Sequence, residues 1–435
     1  MNDTEELQAL VDAAGSGSTI NLTPGRTYVV APTSSAPQGV MIPMGKFNLR
    51  MYGPGSRIVQ ASGVPGSFSS IMVNGSGFRL EGVVLNGGTQ TGNTGHRHGC
   101  FVAAPGFEAI GIMSDEHDGD GLYCYIGADR AALIDSSFNR NLRNGVTFGG
   151  KMNGPSMTGC EVEGNVAIQV DVEPNGNGPV DGLVISRCKL TAPDQLNDYV
   201  LTLGVGGHGG HVLYSELNGG VKISDATEVV IDRCTGTNHT DKASVTVWGR
   251  CNGVDILRST LFADVAKQGI WVAGTAEDAM PARVRLEQVQ MLTGADGALM
   301  LRVSATKSIA VVGGLYRGNG VPVAGRPGIA IRSLFPNAPI ERVELRDARV
   351  ESSGQLGLAI SGDTVTEDDG TKADARINTV FMSGMSFGNS QGASSLTRVG
   401  VIAQVRSLVA GPPGVVDPGV SPLTEAAQFV SRWGT

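Results

Sequence analysis

Apolar positions along the chain recur in a fixed frame. An apolar residue is followed three places on by a small residue or Cys and five places on by a second apolar residue. The frame appears in ALIDSSF (132–138), MTGCEV (157–162), VISRCKL (184–190), VLYSEL (212–217), VVIDRC (229–234), ILRSTL (256–261), LEQVQM (286–291) and LRDARV (345–350). Anchored on Leu133, Met157, Ile185, Val212, Ile231, Ile256, Leu286 and Leu345, the first seven copies lie 19 to 30 residues apart. The final gap of 59 predicts two turns, one of them around 308–316. A second segment follows within each turn, a Gly or small residue and then alternating apolar residues: GLYCYIG from 121, GVTFGG from 145, AIQVDVE from 167, GVKIS from 220, GIWVAG from 269, GALMLRV from 297, GIAIRS from 328 and GLAISG from 357.

Both segments have period two, so each predicts a strand with one face inward. A βαβ protein would show helical patterns of about 10 to 15 residues between strands, and none is present. Two or three strands in about 20 to 30 residues bury their apolar face only against the next such turn. The predicted fold is all-β, a right-handed parallel β-helix solenoid. Cys160, Cys188 and Cys234 share one place in the frame with Ser136, Ser215 and Ser259, which predicts an internal ladder of small side chains. The six Cys form no CxxC pair and no short disulfide framework, so reduced, mostly buried thiols are expected.

An open solenoid needs caps. Residues 4–14 predict a capping helix, with Thr4 as N-cap, Glu5 and Glu6 in the first turn, and an apolar stripe of Leu7, Leu10, Val11 and Ala14. At the other end, 410–422 is rich in Pro and Gly, and a short helix is expected from Ser421 with Pro422 at its first position. The expected organisation is a cap and first strands over 1–30, the β-helix over 31–409, and a linker with a short helix over 410–435. The terminal helix reads as an attachment to a neighbouring subunit or another domain.

Composition narrows the partners. Gly makes up 63 of 435 residues without a Gly-X-Y period, which excludes collagen and suits a chain with a tight turn every ten residues or so. Net charge is −8 and no Lys/Arg run exceeds two, so nucleic acid is a poor partner. No stretch approaches the 18 or so apolar residues of a membrane span, and the opening residues carry no secretion signal, so neither membrane insertion nor secretion is expected.

Residues 118–190 carry a resemblance. DGDGLYCYIG (118–127), SSFNRNLRNGVTF (136–148) and VDVEPNGNGPVDGLVISRCKL (170–190) resemble the pectate-lyase-like superfamily of β-helix proteins, and LQALVDAAGSGSTINLTPGRTYVV resembles the segment opening many of its members, including phage tailspikes and minor tail proteins. The resemblance implies a surface that engages polysaccharide. Its members include lyases, hydrolases, uronate epimerases and inactive adhesins, so it specifies fold better than reaction.

The residues themselves suggest chemistry. In QVDVE, inward Val170 and Val172 put Asp171 and Glu173 outward on one face, about 7 Å apart by strand rise. That separation suits an inverting hydrolase. Asp120 precedes Gly121 as Asn144 precedes Gly145, so the two should stack on adjacent turns with Arg143 beside them. The catalytic candidates are therefore Asp120, Arg143, Asp171 and Glu173. His117, Asp118, Asn144 and Trp271 are substrate-binding candidates; a lyase or epimerase would use Arg143 or His117 to take the proton next to a uronate carboxylate. Each has a plainer reading: Asp118, Asn141 and Asn144 as turn residues bonding local backbone, Asp171 and Glu173 as a solvated strand face or partners of the PNGNG amides, and Trp271 as packing beneath a loop. His96 and His98, His208 and His211, and DEHDGD (115–120) lack a full ligand set, so no metal or cofactor is expected. Trp248, Trp271 and Trp433 are too few to read as an aromatic platform. The expected setting is a virion tail, with host surface polysaccharide as ligand, other tail proteins bound through the terminal segments, and a homotrimer as the candidate assembly. The alternative is a lyase, hydrolase or epimerase acting independently of a virion.

Overall fold

A computed structural model describes residues 2–34, 36–65, 68–90, 97–173, 178–193, 199–204, 206–266, 268–296, 298–319, 327–351, 357–362, 364–366, 372–387, 393–397, 399–407 and 428–430. It divides into two units, Met1–Asn218 and Gly219–Thr435. Each is a right-handed parallel β-helix, in which every turn lays one strand on each of three stacks.

In the first unit the first stack contains Glu108–Ile110, Ala132–Ile134, Ser156–Thr158, Val184–Ser186 and His211–Leu213. The repeat anchors are register partners there: Leu133 pairs with Met157, Met157 with Ile185, and Ile185 with Val212. Two residues then turn the chain into the second stack. The first occupies the left-handed region, as a glycine at Gly159 (φ 67°) and as ordinary side chains at Asp135 (47°), Arg187 (52°) and Tyr214 (51°). The second is the predicted small-residue column. Ser215 Oγ accepts the Cys188 N–H at 3.1 Å, and Cys160 Sγ points to Leu133 O at 3.4 Å. All six Cys are free and buried.

The third stack carries the Gly-led segments, among them Cys100–Val102, Leu122–Cys124, Val146–Gly149, Val170–Glu173 and Tyr199–Leu203. Inward Leu122, Val146, Val170 and Leu201 are fully buried and in register. Polar ladders brace the bend before this stack. Asn141 Oδ1 accepts the His117 N–H at 3.0 Å, Asn165 Oδ1 accepts the Asn141 N–H at 2.9 Å, and Gln169 Oε1 accepts the Asn165 N–H at 3.1 Å. Buried backbone N–H groups that leave strand pairing need such partners.

The cap differs from expectation by one turn residue. The helix is Asp3–Ala13, and Asn2, not Thr4, caps it: Asn2 Oδ1 accepts the Glu5 N–H at 2.9 Å and Glu5 returns the bond in a capping box. Thr4 is buried and its hydroxyl donates to Ala31 O at 2.9 Å, fastening the helix to the strand Thr27–Val30 beneath.

The second unit repeats the design. Ile256 pairs with Ile231 and Leu286, and Val311 stands between Leu286 and Leu345, so the 59-residue gap does hold two turns. Gln428–Val430 is a short strand beside Val399–Ser407 where the sequence suggests helix. The exposed edge of the terminal strand offers paired backbone groups that outweigh a short helix's local preference. The remainder of that expected helix, with Trp433, and the 410–422 segment lie outside the described residues. Among the described residues no helix is long and apolar enough to cross a membrane.

Candidate functional site

On the third stack of the first unit the outward side chains form a column. Register places Met72 beside Phe101, Phe101 beside Tyr123, Tyr123 beside Thr147, Thr147 beside Asp171, and Asp171 beside Thr202. Gly149 and Glu173 pair in the adjacent column. A polypeptide with period two and parallel register repeats its outward residue at every turn, which is why side chains distant in sequence meet here.

Three carboxyls and one guanidinium meet at this column. Arg143 faces Glu173 through Nη2 at 3.1 Å and Asp120 through Nη1 at 3.5 Å. Asn144 lies over Asp120, whose Oδ1 accepts the Asn144 N–H at 3.0 Å. The Asn144 amide group donates to Thr147 at 2.9 Å and to Asp171 Oδ2 at 3.3 Å, while its own oxygen accepts the Ile168 N–H at 3.0 Å. Its backbone N–H and side-chain amide thus join Asp120 to Asp171, while its oxygen ties it to the next turn. Thr202 donates its hydroxyl to Asp171 Oδ1.

Burial governs the protons. Asp120 is fully buried, which pushes its pKa up to about 6 against the opposing pull of Arg143 and the Asn144 amide. Burial pushes Asp171 further, to about 8, helped by a hydrogen bond to Glu173 and by that residue's charge. Burial and the neighbouring Glu173 thus both favour the protonated form of Asp171. Burial works against the Arg143 charge, but Asp120 and Glu173 outweigh it and hold the guanidinium more firmly protonated.

The other candidates are placed elsewhere. His117 is fully buried, and burial lowers its pKa to about 3. Its ring lies against Gly99 inside the solenoid. Asp118 is buried in an ion pair with Arg97. Asp115 takes Arg140 at 2.8 Å, so the carboxylates of DEHDGD are committed one by one to cations. Among the described residues no three His, Cys, Asp or Glu groups converge as metal ligands; His96 lies outside them. Trp271 belongs to the second unit, where it meets Trp248 edge-on at 5.1 Å, has the Arg302 guanidinium 5.5 Å from its ring, and donates Nε1–H to Ser304 at 3.4 Å.

Sequence reasoning missed the aromatic side chains of the same column. Phe101 and Tyr123 stack with centroids 5.7 Å apart and planes 4° from parallel. Tyr125 flanks both, at 5.8 and 6.0 Å, and His98 stacks on Tyr123 at 5.0 Å. The Arg143 guanidinium lies 5.9 Å from the Tyr123 ring, joining this aromatic wall to the acid cluster. The signal was present: Phe101, Tyr123 and Thr147 each stand two places after a glycine, Gly99, Gly121 and Gly145.

No family model matches the sequence, and no curated relative does. The fold is similar to solved structures. The A-module of the Azotobacter vinelandii mannuronan C-5 epimerase AlgE6 is 16% identical, with a TM-score of 0.45 over 95% of this chain and 96% of that one. Pectate lyase Pel9A is 15% identical at a TM-score of 0.40 over 70% and 71%. The Dettilon tailspike protein is 11% identical at 0.40 over 90% of this chain and 63% of its own. These are similarities of chain path and carry no residue roles.

Proposed function

We propose that this β-helix protein binds surface polysaccharide and hydrolyses it at the Asp171 cluster. The observation that carries the reading is the placement of Asp171 and Glu173 on one outward-facing strand edge, with Arg143 3.1 Å from Glu173 and burial raising the Asp171 pKa to about 8. General acid catalysis needs a proton that is retained at working pH and then given to a leaving oxygen. Asp171 is the donor. Glu173 is the carboxylate that meets water or the sugar, Arg143 positions it, and buried Asp120 fixes Arg143. Proton abstraction from a uronate is the poorer reading, since Arg143 is firmly charged and His117 is sealed inside.

The setting in a virion tail, docking to other tail proteins and assembly as a homotrimer belong to the same proposal and rest on the sequence resemblance.

Asp171→Asn and Glu173→Gln should each lower reducing-end release from host-type polysaccharides by about 100-fold or more. Activity should fall as pH rises through about 8, where Asp171 loses its proton. Product carrying the ultraviolet absorbance of an unsaturated uronate would replace the hydrolase with a lyase. Binding without either product over a broad panel would leave an adhesin.

A further inference from the structure

At the aromatic end of the column the surface is concave. The hollow has a volume of about 270 Å³ and is lined by Gln38, Ser69, Met72, His98, Phe101, Tyr123 and Tyr125. This lies just below the usual range of about 300–1,000 Å³ for small-molecule sites, a size suited to one ring and not to an extended ligand. Its walls offer aromatic faces and a thioether, with the hydroxyls of Tyr123, Tyr125 and Ser69 and the exposed amide of Gln38 around them. Flat apolar walls with hydroxyl and amide groups at their edges match a sugar ring, which has an apolar face and a polar rim.

Among the described residues no Lys or Arg lines the hollow. His98 Nδ1 accepts the Asp120 backbone N–H at 3.1 Å and stands 3.6 Å from the Asp120 carboxylate, so this ring already faces an anion. The nearest guanidinium on this column, Arg143, already faces Asp120 and Glu173. A uronate or phosphate here would meet the Asp120 and Glu173 carboxylates nearby and, among the described lining residues, no Lys or Arg to answer it. An uncharged sugar meets no such penalty.

We propose that this hollow is the subsite for one uncharged sugar residue of the glycan, held by ring stacking and hydroxyl hydrogen bonds, and that it selects neutral polysaccharide over uronate-containing polysaccharide. The proposal rests on the reading of the acid cluster as a glycan site and names its substrate class. Tyr123 and Asp171 are two register steps apart, about 10 Å at the usual strand spacing. A glycan lying along the column, across the strands, therefore places a residue in the hollow and a nearby linkage at Asp171.

Binding of neutral gluco-, galacto-, manno- and rhamno-oligosaccharides, and of oligogalacturonates and oligomannuronates of equal length, should be measured calorimetrically with the full chain at low and high salt. At least one neutral oligosaccharide should bind with a Kd that salt leaves unchanged, at least about tenfold tighter than any uronate. Phe101→Ala should weaken that binding about tenfold, and Tyr125→Phe, which removes only a hydroxyl, by a few fold. Circular dichroism melting of both variants separates loss of site from loss of fold, and Tyr125→Phe keeps the test open should Phe101→Ala unfold. Tighter, salt-sensitive uronate binding overturns the proposal, as does neutral binding indifferent to both substitutions or no binding at all. If neutral binding follows the substitutions while no oligosaccharide is ever cleaved, the hydrolase reading fails and the subsite stands.

Discussion

Asp171 sits where the polypeptide has placed an acid in a setting that penalises its charge. In the unfolded chain it would lose its proton near the ordinary carboxyl value of about 4, whereas in the folded protein it does so at about 8. The folded state therefore holds more protons than the unfolded state over that window, and stability falls as pH rises through it. Asp120, raised to about 6, adds a smaller effect of the same sign over the lower part of the window. Asp171→Asn removes the larger share. Its unfolding midpoint in urea should exceed that of the wild type at pH 9 by the equivalent of a few kcal/mol, and the two should converge toward pH 4. A wild-type midpoint that rises between pH 5 and 8 while the variant's stays level would refute the assignment. The residue was visible in QVDVE as one of two outward acids, but its proton was not, because desolvation depends on Asn144, Thr202 and Asp120, which arrive from other turns.

At the scale of the element, the bend before the third stack is held by side chains doing the work of strand pairing. Asn141 Oδ1 and Asn165 Oδ1 each accept a backbone N–H from the turn below, and Asn165 also takes the Asn141 side-chain amide at 2.8 Å. Asn165→Leu strands the Asn141 N–H and its side-chain amide in a dry interior, at a cost of about 2–4 kcal/mol. Amide hydrogen exchange should show this as faster exchange at Asn141 and His117, with the strand His211–Leu213 unaffected; uniform protection would show that the ladder contributes little. Strand positions were legible because burial alternates with period two. The division of the first segment of each repeat into two strands was not, since the corner conformation falls on Asp135, Arg187 and Tyr214 as well as on glycine, and only glycine announces it.

Over the whole molecule, the repeat frame seen in the sequence reappears as register, from Leu133–Met157 in the first unit to Val311–Leu345 in the second. The aromatic wall is not legible in the sequence because Phe101, Tyr123 and Tyr125 are ordinary singly and form a wall only when successive turns superpose them. The same stacking encloses every thiol. Ellman's reagent should find no reactive Cys in the native protein and all six after denaturation; rapid native labelling would show an opening that the closed ladders do not predict. The two ladders also keep a common count. His117, Asn141 and Asn165 recur at intervals of 24, as do Asp120, Asn144 and Ile168. A lineage that gains or loses one whole copy of 24 residues re-forms both ladders. Change by whole copies is quantised. Each quantum moves the acid cluster by one strand spacing, about 4.8 Å, so the distance from aromatic wall to acid is tuned by counting turns and not by altering side chains.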